Sequence, residues 1–71
     1  MIRQPVSSSS LRSVGYDSAR KILEIEFQNG GVYQYGGVPT SAHAALLEAP
    51  SLGAFVNRQI KKAYPYTRVS Q

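Results

Sequence analysis

Residues 21–28 constrain the fold of this chain more than any other segment, because apolar and polar side chains alternate along them. The apolar positions are Leu23, Ile25 and Phe27. This period of two is typical of a β-strand with one buried and one solvated face. The next residues, Asn29, Gly30 and Gly31, favour a tight turn because they accept positive φ angles. We therefore predict a β-hairpin whose second strand covers residues 32–36.

The length of the hairpin loop decides which residues of the second strand face the core. A two-residue loop would place a glutamine on the apolar face of the hairpin. A three-residue loop, residues 29–31, pairs Phe27 with Tyr33 and Ile25 with Tyr35. We prefer the longer loop, because it makes both tyrosines partly core residues and keeps the glutamine on the polar face.

The remaining elements follow from weaker signals. Residues 11–16 alternate weakly and are followed by turn residues, which predicts a first strand. Thr40 or Ser41 can cap a helix that continues to residue 49. After Pro50, Ser51 can cap a second helix that ends before residue 65. The predicted apolar stripe of this second helix consists of Leu52, Phe55, Val56, Gln59, Ile60 and Ala63.

These elements predict an α+β fold of the order β-β-β-α-α. In it, a three-stranded antiparallel meander is covered on one face by two short helices. Residues 1–8 are interpreted as a polar amino-terminal segment and residues 9–71 as a single domain. A chain of 71 residues has room for only one hydrophobic core.

The positive charge of the chain is concentrated near its carboxyl end. The formal net charge is +4, and the charges of residues 1–50 cancel. The surplus comes from Arg58, Lys61, Lys62 and Arg68. Helical spacing places the first three on the face opposite the apolar stripe. If the four side chains converge, their field attracts an anionic partner.

Few residues are suited to catalysis or metal binding. The chain has no cysteine and one histidine, His43, and no serine lies in a nucleophile-elbow motif. One histidine without nearby partners cannot supply the ligands of a metal site. We expect no enzymatic activity, no catalytic residue, no metal and no cofactor.

The amino-terminal residues lack the apolar run of a secretory signal. No segment has the ~20 apolar residues of a membrane span. We therefore expect a cytoplasmic protein without a membrane partner.

Three features are candidates for ligand binding. The first is the basic helix face of Arg58, Lys61 and Lys62, for which a solvated surface is the alternative interpretation. The second is the aromatic and basic segment 64–68, whose rings can stack on bases or close the core. The third is the start of the second helix, at Ser51 and Gly53, where backbone N–H groups can bind an anion or simply be capped. The candidate binding residues are Arg58, Lys61, Lys62, Arg68, Tyr64, Tyr66, Asn57, Ser51 and Gly53.

An ordered set of short motifs resembles the KTSC domain family. The motifs are Ser9-Ser10, Val14-Gly15-Tyr16-Asp17, Leu23-Glu24-Ile25-Glu26-Phe27, Asn29-Gly30, Tyr33-Gln34-Tyr35, Gly37-Val38-Pro39, Ala49-Pro50-Ser51-Leu52-Gly53, Phe55-Val56-Asn57, Ile60 and Tyr64-Pro65. The resemblance implies a small bacterial or phage module that also occurs at the carboxyl end of some lysyl-tRNA synthetases. It also implies that Tyr16, Tyr33 and Tyr35 are family-motif aromatics. RNA binding is the function proposed for this family, partly because of the link to a tRNA synthetase.

These observations together lead to three hypotheses about function. The leading one is a non-catalytic module that binds a phosphate-bearing ligand, RNA above all, through the basic carboxyl-terminal third. In the second, a homo-oligomer sequesters a small nucleotide, which can be cyclic, in a pocket between protomers. The third is a protein-interaction module that docks a protein partner through a sheet edge.

Overall fold

A computed structural model describes residues 2–70 as one antiparallel sheet of five strands with helices on one face. In chain order the elements are β1 (Gln4–Pro5), β2 (Leu11–Asp17), β3 (Ile22–Phe27), β4 (Val32–Gly36), α1 (Thr40–Glu48), α2 (Leu52–Phe55), a π-helical turn (Val56–Ile60) and β5 (Tyr66–Ser70). The strands lie side by side in their chain order. This confirms the α+β class and the three central strands.

The prediction of only three strands was wrong, because two outer strands flank the meander. β1 pairs with β2 and β5 pairs with β4. β1 has only two residues, one of them a proline, so it carries no alternation that sequence analysis could detect. β5 lies within the segment interpreted as an aromatic and basic tail. Met1, the first residue of the predicted segment 1–8, and Gln71, the last residue of the predicted domain 9–71, lie outside the described residues.

The hairpin register differs from both alternatives considered. Ile25 pairs with Tyr33 and Leu23 with Tyr35. The loop does have three residues, but it begins at Gln28, since the Phe27 N–H donates to the carbonyl of Gly31. The preferred register was therefore wrong by one residue on each strand. Its conclusion about the faces is nevertheless confirmed, because a shift of two in total leaves side-chain direction unchanged.

The hydrophobic core lies between the sheet and the helices. Its buried members come from the strands, the β4–α1 connection, α1 and the π-helical turn: Leu11, Val14, Leu23, Ile25, Tyr35, Val38, Leu46, Val56 and Ile60. Tyr35 is 2% exposed and Tyr33 is half-buried against this core. None of the helices in the described part of the chain is long and apolar enough to cross a membrane.

The helix caps agree with the sequence in one case and differ in the other. The Ser51 hydroxyl accepts a hydrogen bond from the Ala54 N–H at 3.3 Å, which confirms the predicted cap. Neither Thr40 nor Ser41 caps α1, because Pro39 occupies the capping position and makes no side-chain hydrogen bond there. The connection after Val38 places Thr40 inside the helix rather than before it.

The second helix widens into a π-helical turn, which changes its exposed face. The Lys61 N–H donates to the carbonyl of Val56, five residues back, at 2.8 Å. The predicted apolar stripe assumed α-helical spacing throughout, and its last part was wrong. Val56 and Ile60 are buried as predicted, whereas Gln59 and Ala63 are exposed.

The sheet face away from the helices carries a polar network instead of an open surface. Glu24 is a polar position of the β3 alternation, which predicts a solvated side chain, but it is only 6% exposed. Its carboxylate pairs with Arg3 and accepts a hydrogen bond from the Gln34 amide at 2.7 Å. Arg3 also donates to the Ser13 hydroxyl at 3.0 Å, and that hydroxyl donates to Glu26 at 2.9 Å. The chain before β1 is thus fastened across the sheet.

Gly15 allows this amino-terminal crossing, because a side chain there would have no room. A Cβ at Gly15 would lie 2.7 Å from the carbonyl oxygen of Ile2 and 3.1 Å from Arg3 Cγ. We expect Gly15→Ala to lower the free energy of unfolding by about 1–3 kcal/mol, since the backbone of residues 2–3 must move. Gly36→Ala is the matched control, because a Cβ there meets nothing within 4 Å. Urea denaturation measures both, and equal stability of the two variants would contradict this account.

Candidate functional site

A cavity of about 460 Å³ opens between the β3–β4 hairpin, β5 and the end of the second helix. The cavity is lined by Ser10, Phe27, Gln28, Asn29, Tyr33, Tyr35, Lys61 and Tyr66. We call it the aromatic cavity, because four of these eight side chains are aromatic rings.

The rings of the aromatic cavity contact one another in a continuous cluster. Phe27 and Tyr33 meet edge to face with their centroids 5.6 Å apart. Tyr66 tilts against Tyr33 at 5.4 Å and against Tyr35 at 5.9 Å. Tyr35 is buried beneath, whereas Tyr66 is 61% exposed. The cluster therefore has a buried base, Tyr35, two half-buried rings, and one largely exposed ring, Tyr66.

Two of the four carboxyl-terminal cations lie on this cluster. The Lys61 ammonium is 5.2 Å from the centroid of the Phe27 ring. The Arg68 guanidinium is 5.5 Å from the centroid of the Tyr33 ring. Because Phe27 and Tyr33 touch, the two cations flank one aromatic surface. The residues were separated in the sequence by Pro65, and the return of the chain along β5 brings them together.

The other two cations lie elsewhere. Lys62 is exposed in the turn that follows the π-helical turn, and Asn57 is exposed on the π-helical turn itself. Arg58 and Ser51 line a second cavity of about 250 Å³ together with Phe55. The structure therefore does not bring the predicted binding residues together in one place, and only Lys61 and Tyr66 of the set line the aromatic cavity.

Tyr16, a predicted family-motif aromatic, and the predicted binding residues Tyr64 and Gly53 make packing contacts within the fold. The Tyr16 ring stacks on His43 at 4.5 Å, and its hydroxyl donates to the Val38 carbonyl at 2.6 Å. Tyr64 is half-buried against the core. Gly53 approaches Ser10 so closely that a Cβ would lie 2.7 Å from the hydroxyl oxygen. These three positions lie outside the aromatic cavity.

Burial shifts the pKa values of two aromatic side chains, Tyr35 and His43. Burial raises the pKa of Tyr35, and the neighbouring Tyr33 and Tyr66 raise it further. Tyr35 therefore stays a neutral phenol at the base of the aromatic cavity. Burial lowers the pKa of His43, so its stacked imidazole is neutral at pH 7.

Sequence reasoning missed four lining residues, namely Ser10, Phe27, Gln28 and Asn29, as members of a site. Phe27 was counted as core because its position continues the apolar alternation of β3. It is half-buried and forms one wall of the cavity. The other three belong to the chain before β2 and to the hairpin loop, where polar residues carry no specific signal. Among residues 2–70, no group of three or more His, Asp or Glu side chains is placed to hold a metal ion.

Comparison with known proteins identifies the family. A family model described as the KTSC domain matches residues 7–64, which is most of the chain. The chain belongs to the KTSC domain family. The match includes Phe27, Tyr33, Tyr35 and Lys61 of the aromatic cavity, while Tyr66 lies beyond it.

Similar KTSC proteins occur in several bacteria. A protein of Stutzerimonas stutzeri is 49% identical over 70 residues, covering 97% of this chain and 99% of that protein. The crystal structure of a KTSC domain protein from Yersinia pestis shares 44% identity with a TM-score of 0.92, and 96% of each chain is covered. The lysine–tRNA ligase of Trichormus variabilis is 34% identical over 62 residues. The match covers 87% of this KTSC chain but 11% of the ligase, whose carboxyl-terminal region is homologous to it.

Proposed function

We propose that this KTSC chain is a non-catalytic module that binds single-stranded RNA, with one nucleotide held in the aromatic cavity. The observation that carries the proposal is the pairing of an aromatic cluster with two flanking cations, Lys61 and Arg68. Stacking surfaces next to positive charge are the usual means by which proteins hold unpaired nucleotides.

The accessible ring of Tyr66 supplies the stacking surface. Every base has a π face, and each base stacked on an aromatic side chain contributes about 1–3 kcal/mol to binding. Contacts with Tyr33 and Tyr35 already restrict the Tyr66 ring. Tyr66 therefore loses less conformational entropy when a base binds. A base on Tyr66 would thus meet a surface that is already in position.

The cations supply the attraction for phosphate. Lys61 lies over Phe27 and Arg68 lies over Tyr33, so two different rings of the cluster each carry a cation that can meet a phosphate next to a stacked base. Arg58 and Lys62 lie outside the cavity and would add to the general positive field. The formal net charge of +4 acts in the same direction.

The lysine–tRNA ligases offer associational support. Lysine–tRNA ligases are named for a tRNA substrate, and the region homologous to this chain spans 11% of their length, which is small enough for an added binding module. RNA binding by that region would agree with the aromatic cavity of this chain.

A free nucleotide is the second candidate, and the cavity volume favours it. About 460 Å³ lies within the range of small-molecule sites, and its walls come from fixed elements of the fold. Such a protein would withhold a small nucleotide by stoichiometric binding rather than act on a nucleic acid.

Tyrosine fluorescence tests the proposal directly, because the chain has five tyrosines and no tryptophan. We expect a short single-stranded RNA to quench this fluorescence as a base stacks on Tyr66, with affinity that falls steeply with salt. Inorganic polyphosphate is the control, since it carries the charge without bases and should bind without quenching. Quenching by one mono-, di- or cyclic nucleotide alone, with weak salt dependence, would favour the second candidate. Absence of binding by any of them would contradict both and favour a protein partner.

A further inference from the structure

β5 is the open edge of the sheet. The opposite edge strand, β1, has only two residues and contains Pro5, so it offers little to a partner strand. β5 has five residues, and none of them is a proline. It also carries Tyr66 and Val69, which are 61% and 45% exposed. Open edges with exposed apolar side chains are sites of strand pairing.

The outward hydrogen-bonding groups of β5 can be identified from its pairing with β4. The Gly36 N–H donates to the Pro65 carbonyl, so these two residues form a hydrogen-bonded pair. In antiparallel sheets hydrogen-bonded and non-bonded pairs alternate, which makes Gln34 and Thr67 the next bonded pair. The backbone N–H and C=O groups of Tyr66 and Arg68 therefore point away from β4.

These outward groups match a second copy of the same strand. Two antiparallel β5 strands that use them pair Tyr66 with Arg68 of the other copy, and Thr67 with its own counterpart at the two-fold axis. This register sets a cation beside an aromatic ring twice, whereas a register centred on Arg68 would oppose like charges. The irregularity in the β4–β5 pairing beyond Arg68 limits regular pairing to these three residues.

We propose that a second copy of this chain pairs along β5 and completes the aromatic cavity. Tyr66 and Arg68 share the sheet face of the cavity, because they pair with Tyr35 and Tyr33. Antiparallel partners project directly opposed side chains to the same face, so Arg68 from one copy lies beside Tyr66 of the other. Each cavity then gains a cation from its neighbour, and the two cavities form one continuous groove.

A three-residue pairing is small, so the contact is weak without a ligand. An anionic ligand that bridges the two copies would stabilise it, because binding to the paired state shifts the equilibrium by mass action. The pairing of strands stands without the proposed function, whereas the linkage to a ligand rests on it.

Disulfide trapping of Thr67→Cys tests the pairing, since the chain has no other cysteine. Non-bonded antiparallel pairs have Cα atoms about 4.5 Å apart, which a disulfide accommodates. Val69→Cys is the matched control on the same strand, because Val69 would lie well away from its counterpart. With oxidised glutathione we expect disulfide dimers of Thr67→Cys to form at least about tenfold faster, as the pairing raises the effective thiol concentration.

The outcomes distinguish the pairing from the proposed function. Equal trapping rates for the two variants would contradict the β5 pairing, whatever the wild-type chain binds. Sedimentation of the unmodified protein with a short single-stranded RNA is the second measurement, and a mass of two chains supports the linkage. RNA binding to a chain that stays monomeric at saturation would overturn the linkage while leaving the proposed function intact. Trapped dimers that bind no RNA or nucleotide would instead support the pairing and contradict the function.

Discussion

Lys61→Glu is expected to lower the affinity for single-stranded RNA about 10- to 100-fold. The lysine ammonium lies over the Phe27 ring at the cavity wall, where a phosphate would meet it. Loss of a charge-assisted contact costs about 1.5–3 kcal/mol, and the new carboxylate repels the phosphate as well. Fluorescence titration at one fixed salt concentration measures the change.

Lys62→Glu is the matched control for this prediction. It changes the formal net charge from +4 to +2, as Lys61→Glu does, but at a side chain that does not line the cavity. Lys62→Glu should act only through the overall positive field of the protein and lower the affinity for RNA a few-fold at most. Equal losses for the two variants would show that the aromatic cavity has no special part in binding.

Arg3→Met is expected to destabilise the fold by about 3 kcal/mol. Arg3 pairs with Glu24, whose side chain is 8% exposed, and its removal leaves a buried carboxylate without its cation. Arg12→Met is the control, because Arg12 is 54% exposed and lies 3.6 Å from Glu26. Exposed pairs of this kind contribute about 0–1 kcal/mol. Urea denaturation at pH 7 measures both, and similar losses would contradict the assigned role of Arg3.

The same pair makes stability depend on pH. Burial alone would raise the pKa of Glu24, but hydrogen bonds from Gln34 and Arg3 and the Arg3 charge outweigh it and hold the pKa below its ordinary value. As the pH falls below about 4.3, Glu24 is therefore protonated in the unfolded chain before it is protonated in the folded one. Stability supplied by the pair is present above that pH and lost below it. The difference between the wild type and Arg3→Met should therefore shrink on acidification.

The central part of the fold could be predicted from the sequence because its signals are local. Alternation in β3 and the glycines after it specify a hairpin whose apolar side chains share one face. The turn glycines do not determine the residue at which the loop begins. The loop consists of Gln28, Asn29 and Gly30, and Gly31 already pairs with Phe27. Periodicity distinguishes faces but not shifts by two residues.

The outer strands and half of the site could not be predicted, because they depend on contacts between distant residues. β5 is a strand because β4 offers it a free edge, and Arg68 reaches Tyr33 only through that pairing. Glu24 looks like a surface residue until Arg3 crosses the sheet above it. The position of Lys61 depends on the π-helical turn, for which the sequence carries no recognised signal.

The most direct test of the aromatic cavity is a backbone-amide NMR map of the protein during titration with a short single-stranded RNA. We predict the largest chemical-shift changes at Tyr33, Lys61 and Tyr66, which surround the cavity. Changes confined to Arg58 and Lys62, with the cavity amides unmoved, would mean that RNA binds the exposed basic surface and would contradict this account.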